Sequence, residues 1–211
     1  MKTTNTSLNR AALFFVTTAL LGFVLIGCRN KNDSSKTSSA PGQEQGNATQ
    51  PPPAPTVVFS SFGPANTCNT SNRWGIGIHA HAEWFVPKVS GQLNSIELAI
   101  KPGSSSAEIF LAQDTNRFPG TVLENFTVAA DSLDAKSVAT VVLQSVAHPM
   151  LQAGVKYWVG ASAAGSGDWT WNFNDQKIVQ SAAREPEPGK WMSAGDFCYV
   201  GAYSVTVTTN R

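Results

Sequence analysis

The sequence lacks an excess of positive charge. Its 15 Lys and Arg stand against 14 Asp and Glu. Two of the basic residues, Lys2 and Arg10, fall in the first 27 positions, a segment that reads as removable, so the remainder has 13 basic residues and sits near −1. A nucleic-acid binder shows a basic patch or stripe, so nucleic acid is excluded as a partner. The same balance excludes a polybasic grip on a membrane. Helical periodicity is almost missing. So are a Gly-x-Ser-x-Gly nucleophile turn, a glycine-rich phosphate loop and zinc-knuckle spacing, and there are only three histidines and three cysteines. These absences remove the common catalytic frames, and no cofactor is expected. The reading that remains is a non-enzymatic one.

What is present at the start is a basic opening followed by Ala11 to Ile26 (AALFFVTTALLGFVLI), an uncharged and largely apolar run of 16 residues. A membrane-spanning helix needs about 20 such residues. A basic start, a short apolar run and then small residues is the layout of a secretory signal. Leu25-Ile26-Gly27-Cys28 resembles the lipobox of bacterial lipoproteins. That resemblance implies a signal peptide over 1–27 and a diacylglycerol on the Cys28 sulfur. It also implies a partner, the membrane, held through the N-terminal lipid. Each buried methylene contributes about 0.8 kcal/mol, so a stable anchor needs more than one acyl chain, and lipobox processing supplies several. Residue 29 is Arg. An Asp there often means inner-membrane retention in Gram-negative lipoproteins, so the expected place is the cell envelope, at the outer membrane rather than the inner.

With Cys28 used as the anchor, Cys68 and Cys198 remain as a pair in an oxidising compartment, where disulfides persist. A bridge between them is expected. It would close a loop of about 130 residues, which the chain-entropy account values near 5 kcal/mol. From Arg29 to Pro55 the chain reads RNKNDSSKTSSAPGQEQGNATQPPPAP, with no large apolar residue. Such a stretch buries too little to offset its ordering entropy. Residues 28–55 are therefore read as the lipidated cysteine and a disordered linker, whose ends lie roughly 30 Å apart as a flexible coil.

Residues 56–211 hold one sizeable core. Period-two alternation recurs through them: Ile96, Leu98, Ile100; Ala107, Ile109, Leu111; Val155, Tyr157, Val159; Trp169, Trp171, Phe173; Tyr203, Val205, Val207. Each set lies on one face of a strand. Turn residues separate the sets at Lys101-Pro102-Gly103, Phe118-Pro119-Gly120, Gln152-Ala153-Gly154, Gly165-Ser166-Gly167 and Pro186-Glu187-Pro188-Gly189. Nine to eleven short strands are expected, in an all-β, jelly-roll-like antiparallel β-sandwich.

The ordered strings SFGPANTCNTSNRWGIG (61–77), WFVP (84–87), NSIELAI (94–100), FPGTVLENFTV (118–128), LQAGVKYWVGASA (151–163) and WTWNFN (169–174) resemble the choice-of-anchor R domain of secreted bacterial proteins. The resemblance spans nearly all of the globular part. It implies a β-rich extracytoplasmic domain joined to an anchoring signal, and it carries no activity. Here the anchor is an N-terminal lipid, a departure from the commoner layout of that family. The Cys68/Cys198 pair and the His-x-His are not implied by it.

Three sets of residues are weighed for chemistry. In GIHAHAEWF (77–85), alternation puts His79, His81 and Glu83 on one strand face, with Ile78, Ala80, Ala82 and Trp84 on the other. Two imidazoles and a carboxylate can hold a transition metal, and cupin jelly rolls use His-x-His followed by Glu. Those, however, place three or four residues before the Glu and add a later histidine, while His148 sits in AHPML without that second motif. The preferred reading is a strand with a polar outer face, and the alternative is a small metal-dependent jelly-roll enzyme using these three residues. Trp169 and Trp171 could present rings to a sugar, but Phe173 continues their face and favours core. Trp191, in the loop-like EPEPGKWMS, is the better candidate for an exposed platform. Asp114 to Arg117 has one carboxylate, too few for a calcium loop, and reads as a hairpin turn. The function expected is display or binding, with a glycan or a surface protein as ligand.

Overall fold

A computed structural model describes residues 53–209, apart from 70, 72, 78, 135, 136 and 164–167, and without the side chains of 196 and 197. The signal peptide, Cys28 and the linker up to residue 52 lie outside the described residues, as do Ile78 and the Gly165-Ser166-Gly167 turn. What is described belongs to the unit Thr49–Arg211. It contains β1 (Thr56–Ser60), β2 (Arg73–Ile76), β3 (His81–Phe85), β4 (Gly91–Lys101), β5 (Ala107–Thr115), β6 (Phe118–Val128), β7 (Ala139–Gln144), β8 (Met150–Leu151), β9 (Tyr157–Ala163), β10 (Trp169–Asn172), β11 (Val179–Glu187), β12 (Lys190–Tyr199) and β13 (Tyr203–Thr208). Among the described residues two short 3-10 turns, Pro64–Asn66 and Ala130–Ser132, are the helical content. Among the described residues no helix is long and apolar enough to cross a membrane.

The strands form two antiparallel sheets, and the domain is a jelly-roll-like β-sandwich. One sheet runs β1-β13-β4-β10-β2, with β7 and β8 also pairing to β4. The other runs β12-β11-β3-β9-β5-β6. The alternating sets drive this arrangement. Ile96, Leu98 and Ile100 of β4, Ile109 and Leu111 of β5, and Tyr203, Val205 and Val207 of β13 are all fully buried between the sheets. At about 25 cal/mol per Å² of apolar surface, each such side chain contributes roughly 1.5–3 kcal/mol. Val155 breaks its predicted set, being 42% exposed just before β9.

Several boundaries differ from the sequence reading. Among the described residues thirteen strands are present rather than nine to eleven, because the short strands β2, β8 and β10 complete the first sheet. Phe118-Pro119-Gly120 is not a turn but the start of β6. The reversal is Asn116-Arg117, both with positive φ (53° and 72°), between the pairs Asp114↔Pro119 and Thr115↔Phe118. Two central residues with positive φ make the tight hairpin whose twist matches that of its strands. The Pro188-Gly189 turn forms as expected, with Gly189 at φ 77° between Glu187 and Lys190. It delivers Trp191 into β12, not into a loop.

The six-stranded sheet curls until β12 touches β6, its opposite edge. Side chains on the concave face converge, so its floor is small: Ala80, Ala82, Ala112, Gly160 and Ala183. On the convex face side chains splay, and large ones such as Phe85, Leu111 and Val159 fill the space against the seven-stranded sheet.

Candidate functional site

Cross-strand register builds the concave face row by row. Glu185 donates its backbone N–H to the Ala80 carbonyl (2.9 Å), and Ser162 pairs with Glu108, which pairs with Thr127. The next row is Ser193, Ala183, Ala82, Gly160, Phe110 and Asn125. The third contains Trp84, Trp158, Ala112 and Val122. Over the small floor lie aromatic rings. The Phe110 ring covers Gly160 so closely that a Cβ there would fall 2.0 Å from it. Trp191 meets Phe110 edge to face at 6.0 Å. This is why the floor alanines are buried although no second sheet covers them.

Two depressions result. One, of about 540 Å³, is lined by Trp191 and Phe110 with Glu108, Glu185, Asn125 and Ser162. The other, of about 340 Å³, is lined by Arg117, Phe118, Trp158, Ser181 and Ser193. Glu108 accepts a hydrogen bond from the Thr127 hydroxyl (2.9 Å), and Glu185 accepts one from the Gly189 N–H (2.6 Å). In the second depression the Trp158 indole N–H donates to Asp114 (2.8 Å). A half-buried Trp191 ring beside the buried Phe110, with anchored carboxylates, an amide and a hydroxyl, gives stacking surface and hydrogen-bonding groups in one trough, the composition of a small-molecule site.

The His-x-His-x-Glu stretch is arranged differently from its expectation. His79 is exposed at a bend before β3. His81 and Glu83 are not on a polar outer face: they point between the sheets with Phe85, at 5% and 0% exposure. The face expected to be inner, Ala80, Ala82 and Trp84, is the concave one. Trp74 stacks on His81 at 4.3 Å, and the edge of Trp171 approaches at 6.4 Å. Glu83 accepts from the Gly201 N–H with both oxygens, each at 2.8 Å, and Oε1 lies 3.4 Å from His81 Nε2. Burial, with the Glu83 charge adding to it, pushes the Tyr203 phenol well above the ordinary tyrosine value, so it remains a donor, to the Trp84 carbonyl at 3.1 Å. The carboxylate is thus committed to structure. Among the described residues no three His, Cys, Asp or Glu side chains are placed to hold a metal ion.

The other expectations separate clearly. Trp169 and Trp171 are 0% exposed and belong to the core, so as ligand-binding candidates they are corrected: no ring face is open to a sugar. Their indole N–H groups donate to Ser105 O (2.5 Å) and Ala202 O (3.2 Å). Trp191 does line a depression. Cys68 and Cys198 are not at disulfide distance, which corrects the expected bridge. Cys68 packs with Phe62, Ala99 and Ala202 on the seven-stranded sheet, while Cys198 pairs with Gln180 in the other sheet, its thiol 3.7 Å from Gly195 O. Burial raises the Cys68 thiol pKa, and the Asp175 charge adds to it, so the thiol stays protonated and unreactive. Cys28 lies outside the described residues.

Sequence reasoning missed Phe110, Glu108, Glu185, Asn125 and Ser162. The signal was available for two of them: Glu108 and Phe110 alternate with Ala107, Ile109 and Leu111, so they had to share the opposite face of β5.

Fold and site together define an all-β sandwich domain with an aromatic trough on the concave face of its curled sheet. In comparisons with known proteins, no family model matches the chain and no curated protein matches it.

Proposed function

We propose that the protein is a non-enzymatic binding module that takes an oligosaccharide in the concave trough of its six-stranded sheet. The observation that carries this reading is the depression of about 540 Å³ in which Trp191 and Phe110 stand beside Glu108, Glu185, Asn125 and Ser162. A sugar ring presents one apolar face and a rim of hydroxyls. The trough supplies a matching pair of surfaces: a ring to stack on and acceptors already oriented by internal hydrogen bonds, which lowers the cost of ordering them on binding. The lipobox resemblance at Leu25–Cys28 fits a module tethered to the cell envelope, at the outer membrane, and the choice-of-anchor R resemblance fits the same extracytoplasmic role.

A glycan array probed with the full chain, purified in a detergent without a sugar head group, tests the binding. The expected result is retention on at least one oligosaccharide class, weakened about tenfold or more by Trp191→Ala, an aromatic anchor of the kind that costs 2 kcal/mol or more when truncated. Silence across the array overturns the glycan reading. Mass spectrometry of the N-terminus tests the anchor, with a diacylated Cys28 expected and an unmodified one fatal to it.

A further inference from the structure

We infer that the sugar held in this trough is a cationic one, an oligosaccharide of 2-amino-2-deoxyhexose whose amino groups are not acetylated; the inference rests on the oligosaccharide reading above. Among the described residues the trough is lined by two carboxylates, Glu108 and Glu185, and by no Lys or Arg. They stand at opposite sides of one cross-strand row, with Ala80 and Ser162 between them. Three strand spacings of 4.7–4.9 Å separate their backbones by about 14 Å, the scale of a short run of linked sugar rings rather than of one. Both side chains are half-buried. Each already uses an oxygen internally, toward Thr127 or Gly189. These bonds fix the carboxylates without neutralising them.

A neutral sugar entering such a site desolvates two negative charges with nothing to offset them. A sugar carrying protonated amines supplies the compensation, since each N⁺–H···O⁻ contact is charge-assisted and stronger than a neutral bond. The indole of Trp191 adds attraction for the same cation through its ring face. An anionic sugar is repelled by both walls. Three basic groups near the concave face are placed elsewhere: Arg117 lines the other depression, Lys156 lies over the Trp84 ring, and Lys190 is paired with Glu187.

The experiment is titration calorimetry of the full chain, in the same detergent, against two matched tetrasaccharides: one of glucosamine, one of N-acetylglucosamine. The glucosamine tetramer is expected to bind at least tenfold tighter. Glu108→Gln and Glu185→Gln are each expected to weaken it about fivefold, the upper range for a partly exposed ion pair. Neither weakens the acetylated tetramer, and each is expected to tighten it slightly, because glutamine keeps the acceptor that Thr127 or Gly189 needs and removes a charge that a neutral sugar desolvates. The preference is expected to fade in 1 M salt, where the screening length falls to about 3 Å. Equal binding of the two tetramers overturns the cationic specificity and leaves the oligosaccharide reading standing. Binding of neither, with another glycan retained on the array, does the same. Binding of neither with a silent array removes both.

Discussion

The two faces of the six-stranded sheet are made of the same strands and solve opposite problems. The convex face presses Phe85, Val159, Leu111 and Ile109 against a second sheet, and all are 0% exposed. The concave face has no sheet over it. Its floor of Ala82, Ala112 and Ala183 is just as buried, at 0%, because Trp158, Phe110 and Trp191 lie across it. Volume fills the first face and curvature closes the second. A face closed by its own side chains has ring edges left over for solvent or ligand, and a face closed by a sheet does not. That is why Trp169 and Trp171, whose continued face in sequence already favoured core over a sugar platform, stabilise the fold, while Trp191 stands at a trough.

The sharpest way to break this contrast is to truncate a tryptophan on each side. Trp171 is 0% exposed, meets Tyr203 edge to face at 5.5 Å, and lies so near Gly201 that a Cβ there would fall 2.5 Å from the indole. Trp171→Ala is expected to cost about 3–5 kcal/mol, the range for deleting a large buried aromatic, read as a lower urea midpoint at unchanged slope. Trp191→Ala is expected to lose less, about 1–2 kcal/mol, since its ring is only partly buried against the concave floor. Equal losses would mean that the concave face is core like the convex one.

A smaller effect sharpens the comparison further. Gly160 tolerates no side chain because the Phe110 ring occupies the position of its Cβ, at 2.0 Å. In Gly160→Ala the ring has to move, and overpacking of this kind costs about 1–3 kcal/mol. The displacement goes toward the trough, so oligosaccharide affinity is expected to fall by a larger factor than stability alone explains. A variant that loses stability with affinity intact would place the ligand away from Phe110.

Much of the fold was legible in the sequence, since period-two alternation is a direct record of which side chains face the other sheet. Ile96, Leu98, Ile100 and Tyr203, Val205, Val207 lie where alternation puts them. The site was less legible, for a physical reason. Around His79 to Phe85 the alternation has two acceptable registers, and polarity chose the wrong one. Ala80 and Ala82 look apolar enough to face inward, yet a sandwich interior needs volume, and Phe85, one step beyond Glu83, supplies it. The inward polar pair is admissible only because Gly201, from far along the chain, satisfies Glu83 and Trp74, from the preceding strand, covers His81. Curvature of the sheet, which makes alanine a floor, leaves no local trace. Nor did cysteine number reveal that Cys68 would pack from a loop onto one sheet while Cys198 sits in a strand of the other.

The smallest expected effect concerns how the convex face is fastened. Glu83 and Glu124 lie in one cross-strand row, with Val159 and Leu111 between them. Each reaches across to the other sheet: Glu83 to the Gly201 N–H, and Glu124 to the Ser145 hydroxyl (2.6 Å) and the Val146 and Ala147 N–H groups (2.6 and 3.0 Å). Burial pushes the Glu124 carboxyl up. The three hydrogen bonds and the nearby His148 outweigh it, so the carboxyl sits below the ordinary value of 4.5. A carboxyl depressed in the folded state stabilises fully above its unfolded pKa and loses that contribution as pH falls through the folded value. Glu124→Gln keeps one acceptor and the shape but not the charge, so it is expected to be less stable by about 1 kcal/mol at neutral pH, the net scale of one hydrogen bond. As pH falls through the depressed folded value the native carboxyl takes up its proton and resembles the amide, so the two thermal midpoints converge. A gap that stays constant from neutral pH down to the onset of acid unfolding would show that the clamp works through shape, with no part played by the charge.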